Sequence, residues 1–189
     1  MKLLEEKILK DGYVVGKDIL KVDNFLNHQL DIEFLKKIGE EFYSQFKDYG
    51  ITKILTIEAS GIAIACFCAC YFNTPVVYAK KYPEYIQDDN VFHSEVYSFT
   101  KKSSYNIRVS KKFLKTDDKI LIIDDFLANG RAASGLIDIV NQSGASVAGI
   151  GIVIEKGFQD GRSVIEKMGI EVKSLVILES IEEGNIVFR

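Results

Sequence analysis

Short, almost unbroken apolar runs alternate along this chain with longer segments in which apolar residues return every three or four positions. The first pattern marks strands buried on both faces, the second amphipathic helices. A short amphipathic helix over 3–10 opens the series. Asp31 is placed to cap a second helix, whose Leu35, Ile38, Phe42 and Phe46 form one apolar stripe. Strands are predicted at 52–57 and 76–79, separated by a helix that starts at Gly61. Residues 91–109 are β-rich, with Tyr105, Ile107 and Val109 alternating with Asn106 and Arg108. Ile120 to Asp124 reads as a strand, followed by a helix on which Ala133, Leu136, Ile137 and Val140 recur and which Gly144 ends. Strands at 148–155 and 172–178 bracket a short helix at 162–168. This order predicts the α/β class, a doubly wound, mainly parallel sheet flanked by helices. Ligands of such sheets bind beyond the carboxyl ends of the strands. Four polar segments fall there: Glu58 to Gly61, Lys80-Lys81, Asp124 to Ala132, and Glu155-Lys156.

With 189 residues, 47% of them hydrophobic, the chain can bury one good core. No Pro-rich, Ser-rich or repetitive linker divides it, so a single domain over 1–189 is expected. Lys and Arg number 24 against 27 Asp and Glu, a net charge of −3. Basic residues form no run longer than pairs such as Lys101-Lys102 and Lys111-Lys112, which argues against nucleic acid as a main partner. The amino terminus is charged from Lys2 onward and lacks the apolar core of a signal peptide. The longest apolar stretch, 61–72, is too short for a membrane span, so no membrane partner and a cytoplasmic location are expected. Cys66, Cys68 and Cys70 lie in that stretch with no further metal-ligand types nearby, and are expected to be buried structural thiols. Their odd number argues against a disulfide framework.

The segment Lys119 to Ala132 concentrates the chemistry. An apolar strand delivers Asp124 and Asp125 into the small-residue loop Ala128, Asn129, Gly130, Arg131 and Ala132, where a helix begins. Unpaired N–H groups and the positive end of the helix dipole favour a dianion such as phosphate. Two carboxylates are acceptor-only groups suited to vicinal hydroxyls. An acidic doublet after a buried strand also occurs in α/β proteins with no sugar site. It is the full order of strand, doublet, glycine loop and helix that points to a sugar phosphate.

This segment resembles the phosphoribosyl diphosphate (PRPP) signature of type I phosphoribosyltransferases. The likeness extends through Lys21 to Gln29, Ile57 to Ala63, Val96 to Lys101 and Gly149 to Lys156, in the manner of the bacterial xanthine subfamily. Asn129 and Ala132 stand where the wider family usually carries Ser or Thr, and Arg131 and Lys80 replace a Gln and an Arg of the usual pattern. The resemblance implies a hood of approximately 1–35 plus 156–189 over a core of approximately 36–155. It also implies a purine salvage reaction in which xanthine and PRPP give xanthosine 5′-monophosphate and pyrophosphate. In that reaction Asp124 and Asp125, as the catalytic pair, would hold the ribose hydroxyls. Ala128, Asn129, Gly130, Arg131 and Ala132 would hold the 5′-phosphate, largely through backbone amides. The turn Glu58, Ala59, Ser60 and Gly61, with Lys80, would meet the pyrophosphate.

Leu20, Asn27 and Lys156 would meet the base. An ammonium donates and cannot accept, so Lys156 suits the carbonyl of a 6-oxopurine; the Asn27 amide alone does not separate xanthine from guanine. Phe158 suits either a stack on the purine or a place in the core. Mg²⁺ would be bound mainly through PRPP and pyrophosphate, with no protein metal ligands. Residues 97–104 resemble a mobile loop that closes over such sites, and similarity implies a homodimer. Two alternatives stay open: a hypoxanthine-guanine phosphoribosyltransferase, and a PRPP-sensing transcriptional regulator. Against the regulator, the first thirty residues are too few and not basic enough for a winged helix.

Overall fold

The computed structural model describes residues 1–16, 19–82, 88–98, 103–182 and 185–189. In chain order its elements are α1 (Lys2–Asp11), β1 (Tyr13–Val15), β2 (Ile19–Lys21), α2 (Ile32–Phe46), β3 (Lys53–Ile57), α3 (Ser60–Phe72), β4 (Val76–Tyr82) and β5 (Val91–Ser98). There follow β6 (Ser103–Ser110), β7 (Lys119–Leu127), α4 (Arg131–Ser143), β8 (Ser146–Lys156), α5 (Gly161–Glu166), β9 (Val172–Glu182) and β10 (Asn185–Phe188). The main sheet runs β10-β9-β8-β7-β3-β4-β6-β5, and β1 and β2 form a separate hairpin. From β9 to β4 the neighbours are parallel; β10, β6 and β5 pair antiparallel at the two edges.

Successive residues of the central strands serve two apolar layers, which explains why those strands read as unbroken apolar runs. Ile54, Leu121, Ile123 and Val153 pack with Leu35, Ile38, Phe42 and Phe46 of α2 and with Ile64 and Cys68 of α3. Leu55, Ile57, Ile120, Ile122, Ile150 and Ile152 pack with Leu136, Ile137 and Val140 of α4 and Ile165 of α5. The predicted stripe of α2 is therefore core, and each such side chain removed from water contributes about 1.5–3 kcal/mol. Local signals act as expected: Asp31 Oδ1 accepts the Phe34 N–H at 3.1 Å, and Gly144, at φ 78°, ends α4 in the left-handed region.

The structure differs from the sequence reading in three places. Strand β7 continues past the acidic doublet to Leu127, because β8 pairs with it as far as Leu127 opposite Glu155. Residues 172–182 and 185–188, expected in the hood, extend the main sheet, leaving α1 and the β1-β2 hairpin as the amino-terminal addition. The expectation of three buried thiols is corrected: Cys68 is buried, but Cys66 and Cys70 are exposed. They lie four residues apart on α3, on a face turned from α2 and the sheet, whereas burial pushes the Cys68 thiol far up. Among the described residues no helix is long and apolar enough to cross a membrane.

Candidate active site

The carboxyl ends of β3, β7 and β8 are adjacent in the sheet, and the polar segments converge there. After β3 the chain turns through a cis peptide between Glu58 and Ala59 and enters α3 at Ser60. Glu58 Oε1 accepts the Lys81 N–H at 2.6 Å, tying this turn to β4. Gly61 lies so close to the acidic pair that a Cβ there would stand 2.0 Å from Thr56 Oγ1 and 3.2 Å from Asp124 Oδ1. Only backbone fits there, against Thr56 of β3 and Asp124 of β7.

Asp124 is 6% exposed. Its Oδ1 accepts the Asp125 N–H at 3.0 Å, and Asp125 Oδ1 accepts the Phe126 N–H at 2.9 Å. Among the described residues neither carboxylate makes a salt bridge. Burial, reinforced by the Asp125 carboxylate, therefore holds Asp124 well above the usual carboxylate range, against a weaker pull from Lys81. The Lys81 ammonium lies 5.6 Å from the centre of the Tyr105 ring, and burial followed by the Asp124 charge pushes the Tyr105 hydroxyl up. Lys81 and Tyr105 thus face the acidic pair. Lys80 does not: it pairs opposite Arg108 and lines a cavity on the other face of β4 with Tyr78 and Tyr82. The expectation for Lys80 is corrected accordingly, because strand alternation sends consecutive side chains to opposite faces.

At the end of β7, a cavity of about 160 Å³ lies between Tyr97 and the loop Ala128 to Ala132. Gly130 adopts φ 75° immediately before α4, which leaves the first backbone amides of that helix open to an anion. The start of α5 abuts this loop, since the Gly161 N–H donates to the Ala128 carbonyl at 3.0 Å. Lys156 is the last residue of β8, and Phe158 in the following turn is 41% exposed, which excludes the core role weighed for it. Leu20, in the β1-β2 hairpin, is buried in the first apolar layer, whereas Asn27 is exposed at the end of a single wide helical turn over Asp23–Asn27. Residues 99–102 of the expected mobile loop lie outside the described residues.

Among the described residues no three His, Cys, Asp or Glu side chains converge as a metal cage. The acidic pair offers hard oxygen donors with no salt bridge among the described residues, a donor set that fits Mg²⁺. The sequence places Lys80 and Lys81 together at this strand end, with Lys80 assigned to the pyrophosphate; Tyr105 and an ion pair between Glu155 and Arg162 were missed. The partners of Tyr105 and Glu155 are distant in sequence or across a turn and left no local signal.

Residues 21–185 match the family described as the phosphoribosyl transferase domain. A protein of Clostridium novyi named xanthine phosphoribosyltransferase is 59% identical over 189 residues, covering all of both chains. One of the same name from Streptococcus agalactiae is 53% identical over 188 residues, covering 100% of this chain and 97% of that one. In three dimensions the chain is similar to adenine phosphoribosyltransferase from Rhodothermus marinus, with a TM-score of 0.77 and 20% identity over 94% of this chain and 100% of that one. At that identity the likeness speaks for the fold alone.

Proposed function

The chain belongs to the phosphoribosyl transferase family, and from that premise we propose that it transfers the phosphoribosyl group of PRPP to xanthine, yielding xanthosine 5′-monophosphate and pyrophosphate. The full-length likeness to proteins named for xanthine supports the choice of base. The observation that carries the site assignment is the close approach of Gly61 to the acidic pair, where an added Cβ would stand 3.2 Å from Asp124 Oδ1; it sets a backbone turn suited to pyrophosphate against a carboxylate pair suited to ribose.

In this reading Asp124 and Asp125 accept hydrogen bonds from the ribose hydroxyls, since among the described residues neither carboxylate is engaged in a salt bridge. The amides of Ala128 to Ala132 hold the 5′-phosphate at the start of α4. Backbone from Glu58 to Gly61, with Lys81 in the place expected of Lys80, receives the pyrophosphate as its bond to the anomeric carbon breaks and the base nitrogen closes on that carbon. Charge on the leaving group is what most needs stabilising in this oxocarbenium-like step. Mg²⁺ supplies further neutralisation of that charge when bound, and Asp124 and Asp125 would meet it through ribose hydroxyls and water. Lys156 donates to the 6-oxo group, Phe158 covers one face of the ring, and Asn27 and Leu20 approach from the hood. The assembly is read as a homodimer in the cytoplasm, on family likeness.

Purified protein supplied with PRPP, Mg²⁺ and one 6-oxopurine at a time tests the assignment through pyrophosphate release. The highest kcat/KM is expected with xanthine. Equal or greater efficiency with hypoxanthine would move the chain to a hypoxanthine-guanine enzyme. Salt-dependent binding to duplex DNA without pyrophosphate release would replace the enzyme by a regulator.

A further inference from the structure

The turn between β8 and α5 is closed by one ion pair. Glu155, the penultimate residue of β8, is only 2% exposed. Arg162, in α5, donates from Nε at 2.8 Å and Nη2 at 2.6 Å to its two oxygens. This is the two-pronged fork that a guanidinium makes and an ammonium cannot. The Ser174 hydroxyl of β9 donates to the same carboxylate, and Arg162 Nη1 donates to the Val172 carbonyl at 2.9 Å and to Glu166 at 3.0 Å. One side chain therefore binds together the end of β8, the helix α5 and the start of β9.

Between the two members of the pair runs the loop from Lys156 to Gly161. The Gly157 N–H donates to the Leu178 carbonyl at 2.8 Å, and the Gln159 N–H turns back to the Lys156 carbonyl at 2.9 Å. At its far end the loop rests on the phosphate-side turn: a Cβ at Gly161 would meet the Ala128 carbonyl oxygen at 2.3 Å and the Gly130 nitrogen at 3.0 Å. Its near end is held by pairing with β9, its far end by backbone contact with Ala128 and Gly130, and its closure by Arg162.

We infer that Arg162 is a positioning residue for base recognition: its fork on Glu155 closes the loop that carries Lys156 and Phe158 and holds both at a set distance from the phosphate-binding turn. This rests on the reading of Lys156 as a base contact. Removing the fork lets the loop relax while leaving the Gly161 contact with Ala128 in place, so the base is affected and PRPP is not.

The test separates positioning from mere charge compensation. Arg162→Met alone strands a buried carboxylate, so it is paired with the double variant Glu155→Gln/Arg162→Met, in which neither charge remains, and with Arg162→Lys, which keeps the charge and loses the fork. In the double variant the KM for xanthine is expected to rise by about tenfold or more, with the KM for PRPP within about twofold of wild type, while Tm recovers relative to Arg162→Met. Arg162→Lys should show the same selective rise, smaller in size. A wild-type xanthine KM in either variant, or parallel rises in both KM values, overturns the inference. If the double variant does not fold, Arg162→Lys alone decides. Lys156→Gln in the otherwise unaltered protein keeps the two readings apart. If it leaves the xanthine KM unchanged, the base assignment itself fails; if it raises that KM and the Arg162 variants do not, only the positioning role fails.

Discussion

Two carboxylates stand at the ends of neighbouring parallel strands, Asp124 on β7 and Glu155 on β8, and both are almost wholly buried. Glu155 has a bidentate guanidinium and a hydroxyl; Asp124 has a backbone amide and, one residue on, a second carboxylate. The charge on Glu155 is therefore compensated within the protein and becomes part of the scaffold. The charge on Asp124 is left to a ligand, and in the empty protein the carboxyl holds its proton more tightly than usual. Neighbouring strands of one sheet thus separate holding the site together from doing its chemistry, and what separates the two carboxylates is the partner, since burial is nearly equal.

The sharpest way to break this comparison is to neutralise each side. Asp124→Asn with Asp125→Asn is expected to lower kcat/KM at least on the order of a hundredfold, about 2.7 kcal/mol, because prepositioned ribose contacts are lost. Its unfolding midpoint should not fall, since no internal partner is stranded. Steady-state kinetics beside a thermal melt reads both quantities, and near-wild-type turnover would remove the acidic pair from the site.

Glu155→Gln should show the opposite balance. It takes from Arg162 its buried partner and leaves it Glu166 at the surface; breaking a buried pair commonly destabilises by roughly 3–5 kcal/mol. Because the Arg162 side chain keeps 28% exposure and its bond to Glu166, a loss below that range, about 2 kcal/mol, is expected, measured by urea unfolding. An unchanged midpoint would mean that the pair adds nothing to the scaffold, and the contrast with Asp124 would fail.

Much of this organisation was legible in the sequence, and the limits follow from the physics of each signal. Runs such as Ile120 to Ile123 and the α2 stripe report burial directly, so strands, helices and the parallel order could be read. The acidic doublet and Gly130 were legible because adjacent residues make that turn. Lys80 was misplaced because its neighbour Lys81 has the same chemistry, and only the register against Arg108 and Ile107 decides which ammonium faces Asp124. Cys66 and Cys70 were misread because α3 is apolar nearly all round, leaving no polar face to mark the outside. The β1-β2 hairpin, with three residues in each strand, is too short for its alternation to register. The partnership of Glu155 and Arg162 spans a turn whose return path no local pattern reports.

The smallest expected effect is the most direct probe of Asp124 as a carboxylate with no salt bridge among the described residues. Its carboxyl is held above the usual range in the folded protein. Below the unfolded-state pKa, near 3.9, both states are protonated and the group is neutral to stability. As pH rises from there, the unfolded chain loses this proton more readily than the folded one, so stability falls until the folded-state pKa is passed and is level beyond it. Asp124→Asn keeps an acceptor for the Asp125 N–H and removes the titration. The variant should melt with wild type near pH 4 and above it at neutral pH, the gap opening as pH rises. A gain independent of pH, or a loss at neutral pH, would show that Asp124 is compensated after all. Saturating PRPP with Mg²⁺ should then reverse the order, because a ligand that binds the folded state stabilises most the protein that binds it best. The carboxylate that weakens the empty fold would be the one that strengthens the loaded one.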